Sequence, residues 1–400
     1  MKTSLFTAVL ITVSLSSFGQ DPKSILKKSY DKCQSIQNGT YEMRCYVKYG
    51  SSNDTVEILF NGAFKKKQID SLYGGAFHYK IFYKGECTGN VLYTGNEFVR
   101  INARDSSAII MSNKLWSRQI LSFNTTIYSP FINKESAPLP QAADFNDKSQ
   151  VFKFIGEETI NNLPCYHVQV NKSTVNNNPQ SQETLRNEYH YWITKADFVP
   201  VQYAIAYDWM ADKDVMHDYI KIALNKFKIN NFKDEDLLTL SSIPSNYTIK
   251  DYVLDKIPDL LAQNTIAPNW ELFSVTGKKV SLNDLKGQLV LLDFFYKACA
   301  PCILSLPSLR LLHQKYTAKG LKVIGIDTFD KKEDDLKSFL SKHRIAYPVL
   351  LDKGDVSNNY HISAYPAIYL IDKNGKIIFS HVGYTKGIEK MLEKIIKQNL

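Results

Sequence analysis

Leu289-Val290-Leu291-Leu292-Asp293-Phe294-Phe295-Tyr296-Lys297-Ala298-Cys299-Ala300-Pro301-Cys302 is the stretch that decides the fold of the C-terminal part of this chain. Its short apolar run, Leu289 to Phe295, predicts a strand covered on both faces, and the two cysteines open a helix predicted over Cys302 to Tyr316. Two sulfurs at this spacing can exchange electrons with a partner's disulfide. Cys299 falls at the helix start, where unpaired N–H groups and the helix dipole favour the thiolate, lowering its pKa from about 8.5 toward or below neutrality. An exposed Cys299 would attack, and Cys302, one turn in and more shielded, would resolve. A metal site is the competing reading of C-x-x-C, but no second pair or nearby histidine completes four ligands.

Working outward, strands and helices alternate: Lys322 to Asp327, helix Glu333 to His343, Ala367 to Asp372, Lys376 to His381 and helix Ile388 to Lys397. That alternation predicts an α/β domain. Pro307 lies inside the first helix, where it should kink it. Tyr365-Pro366 precedes an apolar strand.

From Ala267 to the C-terminus the chain resembles the thioredoxin superfamily, and within it the TlpA-like thiol-disulfide oxidoreductases. Ala267-Pro268-Asn269-Trp270 at the domain start carries the resemblance, together with Gly277 to Gly287, similar to G-K-x-V-S-L-x-D-L-K-G. The strand Leu291 to Phe295, C-x-P-C, Val323 to Asp327, Tyr365-Pro366 and Leu370 to Gly375 complete it. The resemblance implies a cis bond at Pro366, with the backbone of Tyr365 beside the sulfurs to hold a substrate chain as an added strand. Ala298 and Pro301 flank the sulfurs and join Tyr365 as candidate substrate contacts. Asp293 matches the buried acid that takes the proton of the resolving cysteine, burial raising its pKa to suit; a strand-end aspartate that only hydrogen-bonds is the alternative. Gly383 corresponds to the glycine that lets a partner approach. The chain departs from the pattern at Ala298, where relatives carry tryptophan, and at Ser305, where they carry glutamate. Lys297 would partly compensate if its ammonium lies near the thiolate, although an exposed lysine is ordinarily solvated.

The 400 residues, 44% hydrophobic and 22% charged, suffice for two or three globular domains. The net charge of +9 comes from scattered lysines without an aromatic-interleaved basic block, which excludes a nucleic-acid partner. Met1-Lys2, the apolar stretch Leu5 to Leu15 and Ser16 to Gly19 resemble a secretory signal, 1–19, too short to span a bilayer. No other segment approaches the required length. The mature chain is expected to be exported and soluble, in the periplasm of a Gram-negative cell, where disulfides persist.

Residues 21–249 predict an α+β domain with a large curved antiparallel sheet. Lys23 to Ile36 has amphipathic helical spacing. Strands are expected at Tyr41–Lys48, Thr55–Phe60, His78–Tyr83, Val91–Arg100, Ser107–Met111, Gln150–Ile155, Cys165–Val170, Asn187–Ile193, Pro200–Tyr207 and Tyr219–Lys228. Phe154 to Val170, Tyr191 to Pro200 and Ser242 to Tyr247 resemble the LolA-like lipoprotein carriers, which implies a lipid or other hydrophobic ligand in this domain. Cys33, Cys45, Cys87 and Cys165, an even set in an oxidising compartment, are expected to form two structural disulfides of unassigned pairing. His78, His167, His190 and His217 stand isolated in sequence and read as surface or hydrogen-bonded strand residues. A linking segment, 250–264, interrupted by Pro258, leads into the thioredoxin-like domain, 265–400.

Three functions follow. The leading one is an exported thiol-disulfide oxidoreductase acting on protein disulfides and recharged by an upstream electron donor, with no cofactor. A peroxiredoxin is the enzymatic alternative, but neither cysteine sits in P-x-x-x-[ST]-x-x-C, because position 296 is tyrosine and Leu292 stands where proline is needed. A hydrophobic-ligand carrier or sensor with an accessory redox module is the third.

Overall fold

The computed structural model describes residues 21–50, 55–67, 72–123, 131, 144–172, 183–253, 259–330 and 336–400. The secretory signal, Pro258 and the first residues of the Glu333–His343 helix lie outside them.

The chain opens with α1 (Pro22–Ser35). Asp21 caps it, its carboxylate accepting the N–H groups of Lys23 and Ser24 at 3.2 and 3.1 Å, and Pro22 supplies a φ suited to the first turn. There follow β1 (Asn38–Lys48), β2 (Thr55–Lys66), β3 (Gly75–Tyr83), β4 (Glu86–Tyr93), β5 (Glu97–Asn102), β6 (Ser107–Ser112), α2 (Asn113–Phe123), β7 (Val151–Ile160), β8 (Leu163–Asn171), β9 (Thr184–Thr194), β10 (Pro200–Ala211), β11 (Asp214–Ile229) and β12 (Thr248–Asp251). They form a 12-stranded sheet of order β12-β6-β5-β4-β3-β2-β1-β11-β10-β9-β8-β7 among the described residues. Its pairs are antiparallel except β12 with β6. Strict alternation explains which face is buried: Tyr41, Met43, Cys45 and Val47 of β1 join one core with Phe60, Phe64, Phe77 and Leu26 of α1.

Four expectations are corrected here. Val91 to Arg100 is two strands, because Thr94 accepts the Asn96 and Glu97 N–H groups on its hydroxyl and Gly95 takes φ 98°, closing a tight turn between two apolar runs. Lys250 and Asp251, read as linker, belong to β12. Cys33, Cys45, Cys87 and Cys165 are free thiols. Cys33, Cys45 and Cys165 fill the aromatic core as small apolar side chains, burial pushing their thiols up to about 12, 11 and 11, whereas Cys87 is exposed on β4. The histidines are hydrogen-bonded strand residues, but none stands isolated: His167 meets Glu158 at 2.6 Å and His190 at 2.9 Å, His217 meets Asp208 at 2.9 Å and His78 meets Asn90 at 2.7 Å.

The C-terminal sheet comprises β13 (Glu271–Ser274), β14 (Lys279–Ser281), β15 (Leu289–Phe295), β16 (Leu321–Asp327), β17 (Val349–Leu351), β18 (Ala367–Ile371) and β19 (Ile377–Val382), in the order β14-β13-β17-β16-β15-β18-β19. Its helices are α3 (Ala300–Tyr316), α4 (Leu336–Lys342), α5 (Asp355–Asn359) and α6 (Ile388–Asn399). As expected, β15 is buried throughout. Leu291 and Phe295 face a cluster with α3, α4 and α6, while Leu292 and Phe294 face a second cluster with Val356 and Tyr360.

The two sheets meet at the β10–β11 hairpin. Trp209, Ala211 and Met216 belong to the same buried cluster as Ile303, Leu306 and Phe339. Asp212 pairs with Arg310 of α3 at 2.5 Å, Asp214 pairs with Arg344 at 3.2 Å, and the Lys342 ammonium donates to the Gly50 carbonyl at 2.5 Å. Asp218 holds the hairpin's shape by accepting from the Trp209 indole at 3.0 Å and the Gly50 N–H at 2.6 Å. The apolar contact should dominate, because partly exposed ion pairs each contribute less than about 1 kcal/mol. Trp209→Ala is expected to lower the unfolding free energy by about 3–5 kcal/mol, against less than about 1 for Asp212→Asn. Urea unfolding measures both, and equal small losses would contradict this packing.

Candidate active site

The site is built where β15 gives way to α3. Phe295 ends the strand, its carbonyl accepting the Thr328 N–H at 3.1 Å, and Tyr296 accepts the Cys299 N–H at 3.2 Å to turn the chain. Cys299 is the N-cap of α3: its Sγ accepts the Cys302 N–H at 3.1 Å, and its carbonyl accepts the Ile303 N–H at 3.1 Å. Pro301 fits the first turn, where its missing N–H costs nothing. Cys299 and Cys302 are joined as a disulfide with Cα atoms 5.2 Å apart.

The expected exposure of Cys299 is corrected: it is 3% exposed and Cys302 2%. Bonded to its partner and packed in the cluster with Ile303 and Leu306, the leading sulfur has little free surface. Its neighbours Ala298 and Pro301 are exposed and form the rim through which it can be approached. Ser305 is buried, its hydroxyl donating to the Cys302 carbonyl at 2.7 Å.

Tyr365-Pro366 is a cis peptide, as expected. The Gly383 N–H donates to the Pro366 carbonyl at 2.7 Å, and Gly383, at φ 87°, has open space where a Cβ would stand. Tyr365 does not stand alone. Its ring lies 5.4 Å from that of Tyr296 and 5.5 Å from that of Phe329, and the last two are 5.1 Å apart, all edge to face. Phe329 is 66% exposed. Asp327 accepts the Phe329 and Asp330 N–H groups at 3.1 and 2.9 Å, and Asp330 in turn accepts the Lys297 N–H at 2.7 Å, so the loop carrying Phe329 is tied to the cysteine loop. Sequence reasoning missed Tyr296, Phe329 and Asp330; the one available signal was their place at the C-terminal ends of parallel strands.

Lys297 is not solvated: it is buried with its ammonium 3.8 Å from Asp330. Asp293, between Leu291 and Phe295 on the α3 side of β15, is fully buried, and burial pushes its carboxyl up to about 7. Burial, with Asp330 beside it, pushes Asp327 up to about 8. Among the described residues no group of three or more His, Cys, Asp or Glu is arranged to hold a metal ion.

The comparisons match this part of the chain. The profile of the AhpC/TSA family covers residues 264–380. The thiol-disulfide oxidoreductase ResA of Bacillus cereus is 37% identical over 132 residues, which is 32% of this chain and 76% of ResA. The thioredoxin-like protein YneN of Bacillus subtilis is 34% identical over 118 residues, 29% of this chain and 69% of the relative. Among solved structures, a putative thiol:disulfide interchange protein DsbE from Chlorobium tepidum is 34% identical, with 35% of this chain and 98% of that one covered and a TM-score of 0.33. Through its C-terminal third, bearing one bonded cysteine pair at a helix N-cap, the chain belongs to the thioredoxin-like family of thiol-disulfide oxidoreductases.

Proposed function

We propose that this is an exported enzyme that exchanges disulfides with protein substrates through Cys299 and Cys302. The Cys299–Cys302 bond at the N-cap of α3 carries this reading. In the reducing direction the Cys299 thiolate attacks a substrate disulfide, forming a mixed disulfide and releasing one substrate thiolate. Cys302 then loses its proton to Asp293 and attacks the Cys299 sulfur, releasing the second substrate sulfur as a thiolate and closing the protein's own disulfide. The substrate gains two electrons and the protein loses them, so an upstream thiol donor must recharge the pair. The same steps reversed oxidise a substrate.

Pro366 and Tyr365 would hold the substrate chain as an added strand. The rim at Ala298 and Pro301 would meet the residues flanking its disulfide, and Tyr296 and Phe329 would take an apolar side chain. In the proposed layout, 1–19 is a signal peptide removed on export to the periplasm, 21–249 a LolA-like domain, 250–264 a linker and 265–400 the redox domain. The LolA-like reading draws support from the large antiparallel sheet with α1 packed on its aromatic face. In this scheme that half selects partners or docks an envelope component. No helix among the described residues is long and apolar enough to cross a membrane.

A carrier of a hydrophobic ligand is the second reading, favoured by a groove of 890 Å³ at the large sheet. Ala63, His78, Leu163, Phe227 and Leu237 are among its lining residues. Lipid that co-purifies with the protein, and a function indifferent to Cys299→Ser, would select it.

Cys302→Ser is expected to accumulate mixed disulfides through Cys299 in the cell envelope, and Cys299→Ser none; non-reducing electrophoresis with mass spectrometry reads the adducts. Absence of any adduct, with inactivity toward insulin, would overturn the proposal. Asp293 gives a second expectation. Its folded-state pKa of about 7 lies above the unfolded 3.8, so folding takes up a proton between those values and stability falls as pH rises through that window. Asp293→Asn should remove a penalty on the order of 4 kcal/mol at pH 8 while slowing the resolving step. Urea unfolding at pH 5 and 8 measures the first effect, and an unchanged pH slope would contradict it.

A further inference from the structure

The resolving step described above needs a buried carboxylate that can hold and return a proton, and the fold places a second polar group against it. β15 and β16 run parallel with Asp293 opposite Gly325, so both project toward α3. A Cβ at 325 would stand 3.0 Å from Val349, 3.1 Å from the Phe295 ring and 3.3 Å from the Tyr347 ring. The room of the absent side chain is thus shared by Val349, Phe295 and Tyr347. The Gly325 N–H donates to the Pro348 carbonyl at 2.9 Å, which holds the residue after Tyr347 at the sheet. Tyr347 is buried, and neither its hydroxyl nor either carboxyl oxygen of Asp293 has a hydrogen-bond partner within the described protein. Unpartnered polar atoms are rare in native interiors, and three from two neighbouring side chains mark a functional pair.

We propose that Tyr347 is a positioning residue for Asp293 in the reduced protein: its phenol, unbonded among the described residues in this disulfide form, turns to donate to the carboxylate while that group waits for the Cys302 proton. Once the proton has moved from the Cys302 thiol to Asp293, the carboxylic acid can donate to the phenol oxygen in return. This rests on the dithiol reading above, with Asp293 as the base. The charge of Asp293 adds to burial in pushing the Tyr347 hydroxyl up, while Arg310 opposes it. The other titratable groups facing the pair are on α3 and beyond α4. The His313 ring lies 5.7 Å from that of Tyr347, and the buried His343 ring packs on Phe339. Arg310 is itself engaged by Asp212 and the His343 carbonyl.

The test uses the full chain carrying Cys87→Ser, because Cys87 is an exposed thiol outside the pair. Reduced protein is loaded at Cys299 with Ellman's reagent, and release of the coloured thiol reports attack by Cys302 as a function of pH. Tyr347→Phe keeps the ring and removes the donor, so the carboxylate loses stabilisation. The midpoint of the release profile should move alkaline by about one pH unit, making release about tenfold slower below the midpoint and unchanged well above it. Incorporation of 3-fluorotyrosine at 347, a stronger donor of nearly the same shape, should move it acid. Profiles of both variants that superpose on the parent would overturn the proposal, and if Tyr347→Phe fails to fold the fluorotyrosine protein decides alone. Asp293→Asn separates the two readings: a parental pH profile in that variant would refute Asp293 as the base, and with it the role of Tyr347.

Discussion

Seven buried residues of β15 deliver the chain to the protein surface in a direction set by the sheet, and the helix that follows must find partners for its first N–H groups. Cys299 provides one: its sulfur accepts the Cys302 N–H at 3.1 Å. The same contact places the two sulfurs one turn apart, at a Cα separation of 5.2 Å that a disulfide spans without moving the backbone. Once reduced, that sulfur would sit where the helix end favours negative charge. Fold and chemistry therefore meet in one capping interaction. In the proposed scheme Asp293, the cis Pro366 and the three aromatic rings act around that point.

The N-terminal half is attached to this arrangement rather than merely joined in sequence. Trp209 and Met216 share a buried cluster with the helix that carries the cysteines, and Asp212 holds Arg310 of the same helix. Arg310 also acts on Tyr347, which lies against the cross-strand neighbour of Asp293. A continuous run of packed and charged groups thus connects the hairpin of the large sheet to the floor of the redox site.

Much of the C-terminal fold was legible because its signals are local. The apolar run of β15, the C-x-P-C at the helix start and Tyr365-Pro366 each declare themselves within a few residues, and the structure places them together. What escaped was non-local. Tyr296 and Phe329 become neighbours only because parallel strands end side by side, and Tyr347 packs over Gly325, the cross-strand partner of Asp293, from a distant loop. The cysteine arithmetic failed for a related reason: an even count carries no positions, and Cys33, Cys45 and Cys165 fit the core as small apolar side chains. Val91 to Arg100 reads as one strand only if the short turn signal Thr94-Gly95-Asn96 between its two apolar runs is passed over.

The most direct test of the central claim is a redox titration of the whole protein, with thiols alkylated at each potential and located by mass spectrometry. The account expects one reversible two-electron transition confined to Cys299 and Cys302, while Cys33, Cys45, Cys87 and Cys165 remain thiols throughout. A pair that never opens and closes reversibly, or a transition that involves the other cysteines instead, would contradict it.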